Sequence, residues 1–181
     1  MPDLKRLLLA LRCIGVGFAL LGLGAGPAQA EGFAGLEILP EPVMREDSPA
    51  LLNAGGTAVP LSGAPVTVLN FWATWCAPCV AELPALSRAA AALADDGIVV
   101  MLVSIDRGGA AKAVPFLERL GVTGVRLGFD PKAKLSREVG IRGLPTTLLL
   151  PPSQDTAWRF VGPFEWDSDE MLTLIRDLAG T

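Results

Sequence analysis

Two cysteines, Cys76 and Cys79, form a C-x-x-C pair within the stretch W-A-T-W-C-A-P-C. The pair follows an apolar run at 66–71 and precedes an alanine- and leucine-rich run, so we expect it at a strand-to-helix junction. Free backbone N–H groups and the dipole at a helix N-terminus favour a thiolate on the first cysteine. A second thiol three residues later can resolve the mixed disulfide that this nucleophile forms. The spacing therefore predicts dithiol–disulfide exchange, with Pro78 stiffening the first helical turn.

Two structural explanations compete with redox chemistry for this pair. A disulfide that closes so short a loop removes little entropy from the unfolded chain, so it would stabilise the fold only slightly. A structural zinc site normally has four protein ligands. The chain has no histidine and only one further cysteine, Cys13, so the ligand set would be incomplete. Redox chemistry is favoured over both explanations.

The amino-acid composition limits which residue types could catalyse a reaction. Histidine and tyrosine are both absent, which removes the usual general base near neutral pH and the Cys-His and Ser-His nucleophile pairs. The net charge is −4 with the two signs interspersed, so nothing predicts a nucleic-acid surface. Any reaction must use cysteine, carboxylates, lysine, arginine or the backbone.

The first thirty residues have the pattern of a secretory signal peptide. A basic start at 5–12, an apolar segment at 13–23 and the small-residue signal Ala-Gln-Ala at 28–30 follow in the expected order. We expect cleavage before Glu31 and export to the periplasm. The alternative is an uncleaved anchor in the inner membrane, formed by residues 7–25, although a membrane span needs about 20 apolar residues.

The rest of the chain is predicted to hold one domain. Removal of residues 1–30 leaves Cys76 and Cys79 as the only cysteines and gives a net charge of −6. Residues 31–49 contain three prolines and no clean period, so they are read as a linker with a short strand at 36–39. Residues 50–181 are the predicted domain, of a size that one hydrophobic core can support.

The hydrophobic periods in this domain alternate between strand and helix, which predicts an α/β fold with a central mixed sheet flanked by helices. The predicted elements are a hairpin at 51–61, buried strands at 66–71 and 98–105, a helix from the cysteine pair to a stop at 95–97 with a kink at Pro84, a helix at 110–120, a strand at 125–129, a helix at 133–139, an antiparallel strand pair at 146–150 and 157–161, and a last helix at 167–179.

Two motifs together carry a family resemblance. The segments F-W-A-T-W-C-A-P-C-V-A-E-L-P and G-L-P-T-T occur in this order, and the chain from 51 to 179 resembles the thioredoxin-like superfamily. Within it, the sequence is similar to the secreted TlpA/ResA branch of thiol-disulfide oxidoreductases. The resemblance implies a thioredoxin-like fold with an N-terminal hairpin and a central strand-helix insertion, at 107–129, that helps to recognise partners.

The resemblance also implies site roles. Cys76 would be the attacking thiol and Cys79 the resolving thiol, with no cofactor beyond this pair. Pro145 would be a cis-proline that faces the cysteines, next to backbone that pairs with an extended substrate segment. The residues assigned to substrate binding are Trp75, Pro78, Leu144, Pro145 and Thr146.

One position departs from classical thioredoxin. Asn70 stands where thioredoxin has a buried aspartate that handles protons near the resolving thiol, and an amide cannot do this. Glu82 is the predicted substitute, because it lies one helical turn after Cys79 on the same face. Burial would raise the pKa of its carboxyl and let it exchange protons during disulfide opening. The alternative is a solvated glutamate that merely favours the helix N-terminus.

The residues between the cysteines, Ala77 and Pro78, bear on the direction of the reaction. A strong oxidant of this class has a histidine there that stabilises the reduced thiolate, so its absence predicts a reducing pair near the thioredoxin end of the scale. The resemblance implies a membrane thiol transporter of the DsbD/CcdA type as the electron donor. The implied acceptors are secreted proteins with paired cysteines, at the haem site of apocytochrome c or at copper sites of oxidase assembly proteins.

Three other functions remain as alternatives. A copper carrier is one, because two thiolates can hold Cu(I), although the C-x-x-x-C spacing and distal histidine of thioredoxin-like carriers are missing. A partner-binding module that uses the Pro145 surface without turnover is another. A peroxidase is the third, although no activating Arg/Thr arrangement precedes Cys76. We expect a monomer in each case.

Overall fold

The computed structural model describes residues 36–39, 43–44, 48–59, 64–152 and 156–180. The predicted signal peptide, 1–30, and most of the predicted linker, 31–49, lie outside the described residues. Within the described ranges, no helix is both long enough and apolar enough to cross a membrane.

In the described part of the chain, four strands precede the first helix, and strands and helices then alternate apart from the consecutive β7 and β8. One sheet holds these strands in the order β1-β8-β7-β4-β5-β6-β2-β3. Strands β4, β5 and β6 are parallel, whereas β7 and β8 are antiparallel to their neighbours. The mixed sheet of a thioredoxin-like fold is therefore confirmed. The elements are β1 Leu36–Leu39, β2 Leu51–Leu52, β3 Ala58–Val59, β4 Thr67–Trp72, α1 Ala77–Ala92, β5 Val99–Ser104, α2 Ala110–Arg119, β6 Arg126–Phe129, α3 Lys134–Glu138, β7 Thr146–Leu150, β8 Ala157–Val161 and α4 Asp169–Ala179.

Strand β4 lies inside the sheet and is buried along its whole length. Successive side chains of a strand point to opposite faces. Val68 and Trp72 therefore join the core that includes α1 and α4, whereas Leu69 and Phe71 join a second core that includes α3. Asn70 shares the face of Val68 and Trp72, and this alternation directs its amide toward α1.

Helix α1 begins at Ala77 with Cys76 as its N-cap and continues through Pro84 without a break. The helix ends at Ala92, before the predicted stop at 95–97. The chain turns after the Leu93 cap, and Gly97 adopts a positive φ of 70° before β5 begins. The helical segment that carries the cysteine pair is thus anchored between two parallel strands.

The predicted hairpin is present, because β2 and β3 pair antiparallel with Leu51 opposite Val59. The Asn53 side chain closes its loop by accepting hydrogen bonds from the N–H groups of Gly55 and Thr57, each at 2.9 Å. In the region predicted as a strand-helix insertion, helix α2 comes first and β6 follows. Strand β6 joins β5 to the hairpin and so completes this edge of the sheet.

Candidate active site

Cys76 and Cys79 form a disulfide at the N-terminus of α1, with their Cα atoms 5.2 Å apart. The N–H of Cys79 points at Cys76 Sγ at 3.3 Å. This N–H belongs to the first helical turn, where no carbonyl of the helix can accept it. The same donor would stabilise a thiolate on Cys76 once the disulfide opens. Cys79 is fully buried and Cys76 is 5% exposed, so only the first sulfur borders solvent.

The surface beside Cys76 is open and largely apolar. Trp75 is 65% exposed, although its neighbours in the chain are half-buried or buried. A groove of about 520 Å³ is lined by Trp75, Cys76, Pro78 and Leu144 together with Ile105 and Ile141. The structure therefore brings four of the sequence-predicted site residues to one groove. A polypeptide segment laid along it would reach Cys76 without disturbing the core.

The Leu144–Pro145 peptide bond is cis. Leu144 lines the groove, whereas Pro145 and Thr146 are buried directly behind it. The Pro145 carbonyl accepts a hydrogen bond from the Gly162 N–H at 3.0 Å, and the Thr146 hydroxyl donates to the Gly143 carbonyl at 2.8 Å. These bonds fix the loop beside the cysteines, and the predicted pairing of its backbone with substrate stays a prediction.

Glu82 is a buried carboxylate, 4% exposed, one helical turn after Cys79. Its Oε1 accepts a hydrogen bond from the Asn70 amide at 2.8 Å. Its Oε2 accepts from the Trp166 indole N–H at 3.0 Å and from the Phe164 N–H at 3.2 Å. All three donors are neutral, and they come from β4 and from the loop between β8 and α4.

Burial raises the pKa of the Glu82 carboxyl, and the hydrogen bonds from Trp166, Asn70 and Phe164 oppose that shift without cancelling it. Glu82 also borders a second cavity, of about 400 Å³, which Arg88 and Glu165 line as well. The carboxyl can therefore take up a proton more readily than an exposed glutamate, and it lies next to a path to solvent. Proton exchange with Cys79 stays a prediction that this geometry supports.

Asn70 is fully buried and uses both amide hydrogens, donating to Glu82 and, at 2.9 Å, to the Thr147 hydroxyl. Its Oδ1 is buried without a hydrogen-bond partner in the described part of the chain. The two amide atoms differ only by a half-turn of the side chain. With the amide reversed, Oδ1 would accept the O–H of a protonated Glu82. One side chain can thus serve both protonation states of the carboxyl.

Asp106 is a second buried carboxylate, which the sequence reasoning missed. It follows β5 and bonds to the loop before Cys76: Oδ2 accepts from the Thr74 N–H and Oδ1 from the Thr74 hydroxyl, both at 2.8 Å. The Lys112 ammonium lies 2.8 Å from Oδ1. Burial would raise the pKa of Asp106, but the bonds from Lys112 and Thr74 outweigh it and lower the pKa. An acidic residue directly after a buried apolar strand was the available signal.

Residues 50–157 match the family model described as the AhpC/TSA family. The chain is 32% identical over 151 residues to the thiol:disulfide interchange protein HelX of Rhodobacter capsulatus, and the match covers 79% of this chain and 81% of that protein. It is 30% identical over 129 residues to the thiol:disulfide interchange protein CycY of Rhizobium leguminosarum, covering 71% of this chain and 64% of that protein.

Solved structures resemble the fold. The crystal structure of a protein described as a thiol:disulfide interchange protein DsbE, from Chlorobium tepidum, superposes with a TM-score of 0.63 at 30% identity, covering 72% of this chain and 92% of that one. StoA from Bacillus subtilis superposes with a TM-score of 0.57 at 24% identity, covering 68% of this chain and 94% of that one, and supports the fold alone.

Proposed function

We propose that this chain, which belongs to the AhpC/TSA family and is a thioredoxin-like thiol-disulfide oxidoreductase, reduces particular protein disulfides in the periplasm. The observation that carries the proposal is the cysteine pair at the N-terminus of α1 with a buried carboxyl, Glu82, one turn behind it. Cys76 borders an open groove, and a carboxyl that can hold a proton lies one helical turn after Cys79.

The reaction begins with the dithiol form. The Cys76 thiolate attacks one sulfur of the substrate disulfide, and a mixed disulfide forms while the other substrate sulfur leaves as a thiolate and takes a proton. Glu82 accepts the proton of the Cys79 thiol. The Cys79 thiolate then attacks Cys76 Sγ, which closes the enzyme disulfide and releases the second substrate sulfur as a thiolate that takes a proton from solvent. Two electrons have moved from the enzyme dithiol to the substrate disulfide.

The oxidised enzyme needs a fresh supply of electrons outside the cytoplasm. We assign this step to a membrane thiol transporter of the DsbD/CcdA type, which would return two electrons to the Cys76–Cys79 disulfide. The acceptors in this proposal are secreted proteins whose cysteine pairs must be reduced before a cofactor is loaded, at the haem site of an apocytochrome c or at a copper site. The family resemblance and the thiol-disulfide relatives support both assignments.

The reduction potential of the Cys76–Cys79 pair tests the direction of the reaction. Equilibration with glutathione or dithiothreitol buffers should give a value well below about −200 mV, because Ala77 and Pro78 offer no cation that would stabilise the reduced thiolate. A value near about −120 mV, which is typical of the periplasmic oxidant, would contradict the proposal. The protein would then be a disulfide donor.

Trapping identifies the substrates. The Cys79→Ala variant keeps the attacking thiol but cannot resolve the mixed disulfide, so secreted partners should accumulate as covalent adducts on Cys76. Cys76→Ala is the matched control, and it should trap nothing. An anaerobic titration of the reduced wild-type protein with Cu(I) tests the copper-carrier alternative, which tight one-to-one binding without disulfide reduction would support.

A further inference from the structure

A second groove adjoins the one beside Cys76. It has a volume of about 950 Å³, and it shares Trp75, Ile105, Ala133 and Arg137 with the groove of about 520 Å³ described above. The two therefore form one continuous depression on either side of the exposed Trp75 ring. Its apolar residues include Ile105, Ile141 and Leu144, all of them half-buried. We call this double groove the substrate face.

Cations dominate the polar lining of the substrate face. Among the described residues that line it, the only carboxylate is that of Asp106, whose side chain is fully buried and bonded to Lys112. The basic residues in the lining are Arg107, Lys112, Lys132, Arg137 and Arg142, and all five are exposed. The face is therefore strongly positive, although the whole chain carries a net charge of −4.

The basic residues of the substrate face differ in their ion pairing from several other basic residues on the surface. Ion pairs elsewhere join Arg88 to Asp167, Arg159 to Glu37 and Arg176 to Asp96. In contrast, the side chains of Arg107, Lys132, Arg137 and Arg142 form no ion pair with any of the described residues. Because no described residue pairs with these charges, they are available to a partner.

We propose that the substrate face docks an acidic polypeptide segment that flanks the disulfide to be reduced, which rests on the reductase function proposed above. Aspartate or glutamate residues within a few positions of the substrate cysteines would meet the exposed arginines, which bind carboxylates in a bidentate manner. The apolar floor and Trp75 would contact the side chains next to the cysteine. Charge complementarity would speed the encounter and select among secreted disulfides.

Three synthetic peptides test this selection. Each carries the same disulfide, flanked by aspartate, asparagine or lysine, and is reduced by the pre-reduced wild-type protein. At an ionic strength of about 0.01 M the aspartate peptide should react about tenfold faster than the asparagine peptide. The screening length is then about 30 Å, so the exposed cations attract the peptide from that distance. The lysine peptide should react slowest. At about 1 M salt, where the screening length is about 3 Å, the three rates should converge to within about twofold.

A matched pair of double variants locates the effect. Arg137→Gln with Arg142→Gln should reduce the ratio of the rates with the aspartate and asparagine peptides from about tenfold to about twofold. Arg119→Gln with Arg126→Gln changes the net charge equally at exposed positions outside the substrate face, and it should leave the preference in place. Equal rates for the three peptides with the wild-type protein, or equal losses in the two double variants, would overturn the proposal.

Failure of the reductase function would look different. The asparagine peptide would then not be reduced at all, and the docking proposal would be decided by binding. In that experiment the oxidised protein is titrated with the same peptides carrying serine in place of cysteine, and the tryptophan fluorescence is followed. Tighter binding of the aspartate peptide supports the proposal. Equal binding of all three peptides, with adsorption to vesicles of anionic phospholipid, would overturn it in favour of a lipid surface.

Discussion

Two buried carboxylates flank the cysteine segment, and their surroundings differ in one respect. Glu82 and Asp106 are 4% and 0% exposed, and each accepts at least three hydrogen bonds. The donors to Glu82 are an amide, a backbone N–H and an indole, all neutral. Asp106 also accepts from a cation, the Lys112 ammonium. Burial raises the pKa of both, and only at Asp106 do the partners reverse that shift.

Because only Asp106 has a cationic partner among the described residues, we expect the two carboxylates to behave differently. Asp106 stays ionised and holds Thr74, two residues before Cys76, so it fixes the loop that leads into the site. Glu82 has no cationic partner among the described residues, so its carboxyl can take up and release a proton, and exchange of that proton with Cys79 stays a prediction. Burial alone therefore does not define a proton carrier. A buried carboxyl such as that of Glu82 is a candidate proton carrier because, in addition, none of its described contacts is a cation.

The largest effect is expected from Glu82→Gln. The variant keeps the size of the side chain but cannot accept the Cys79 proton, and a positioned general base contributes about 100-fold or more to such a step. Resolution of the mixed disulfide should slow by about 100-fold at neutral pH, measured by stopped flow with a peptide disulfide. Formation of the mixed disulfide by Cys76 should change little.

Glu165→Gln is the control for this substitution. Glu165 is exposed and lines the same outer cavity as Glu82, so its loss should leave both steps within about twofold of the wild type, as is usual for a surface charge. An unchanged resolution rate in Glu82→Gln would contradict the proton-accepting role of Glu82, because both carboxylates would then be structural.

Asp106→Asn should act on stability instead. An asparagine cannot accept from Thr74 and Lys112 as a carboxylate does, and a buried donor left without its partner costs about 1–3 kcal/mol. Urea unfolding should show a loss of about 2 kcal/mol, while the resolution rate of the folded protein falls by less than about fivefold. In the control Asp167→Asn, which breaks the exposed pair with Arg88, the loss should stay below about 1 kcal/mol.

The pH dependence of stability should separate the two carboxylates by sign. The raised pKa of Glu82 means that the folded state binds its proton more tightly, so this group's contribution is full below about pH 4.3 and is lost as the pH rises through the raised value. The lowered pKa of Asp106 acts in the opposite direction, and its contribution is lost only as the pH falls below about 3.9.

Urea unfolding of the oxidised protein between about pH 4 and about pH 7 measures this difference. The wild type should lose stability relative to Glu82→Gln as the pH rises through that window. Parallel curves for the two proteins would mean that the pKa of the Glu82 carboxyl is the same in the folded and the unfolded state, contrary to the raised value that its burial produces.

The smallest effect is expected from Lys112→Gln. The Lys112 side chain is 52% exposed, so water screens its pairing with Asp106. The loss of stability should be at most about 1 kcal/mol, should shrink at high salt, and should accompany a rise in the pKa of Asp106. A loss as large as that of Asp106→Asn would show that the cation, and not the Thr74 bonds, holds the loop.

The strands of the central sheet were predictable because their signal is local. Strands β7 and β8 match the predicted bounds, and their antiparallel pairing follows from the short connection between them. Alternation along β4 likewise directs Asn70 to the face that packs on α1. Glu82 is buried on that side of α1, and the two side chains form a hydrogen bond there. The helix predicted at 110–120 and the strand predicted at 125–129 are present within one residue of these bounds, as α2 and β6.

The partners of the two carboxylates were not predictable from sequence. Phe164 and Trp166 reach Glu82 from a loop more than 80 residues away, and only the return of β8 beside β7 brings that loop over α1. Asp106 meets Thr74 because β4 and β5 run parallel and end at the same edge. Such contacts depend on the register of the sheet, which the local pattern does not specify.

The most direct test of the account is a titration of the two carboxyl groups in the oxidised protein, followed by carbon-13 NMR of labelled Glu and Asp side chains. Glu82 should titrate above the ordinary range of glutamate, and Asp106 below the ordinary range of aspartate. A Glu82 carboxyl that titrates within the ordinary range of glutamate would contradict the proton-carrier assignment.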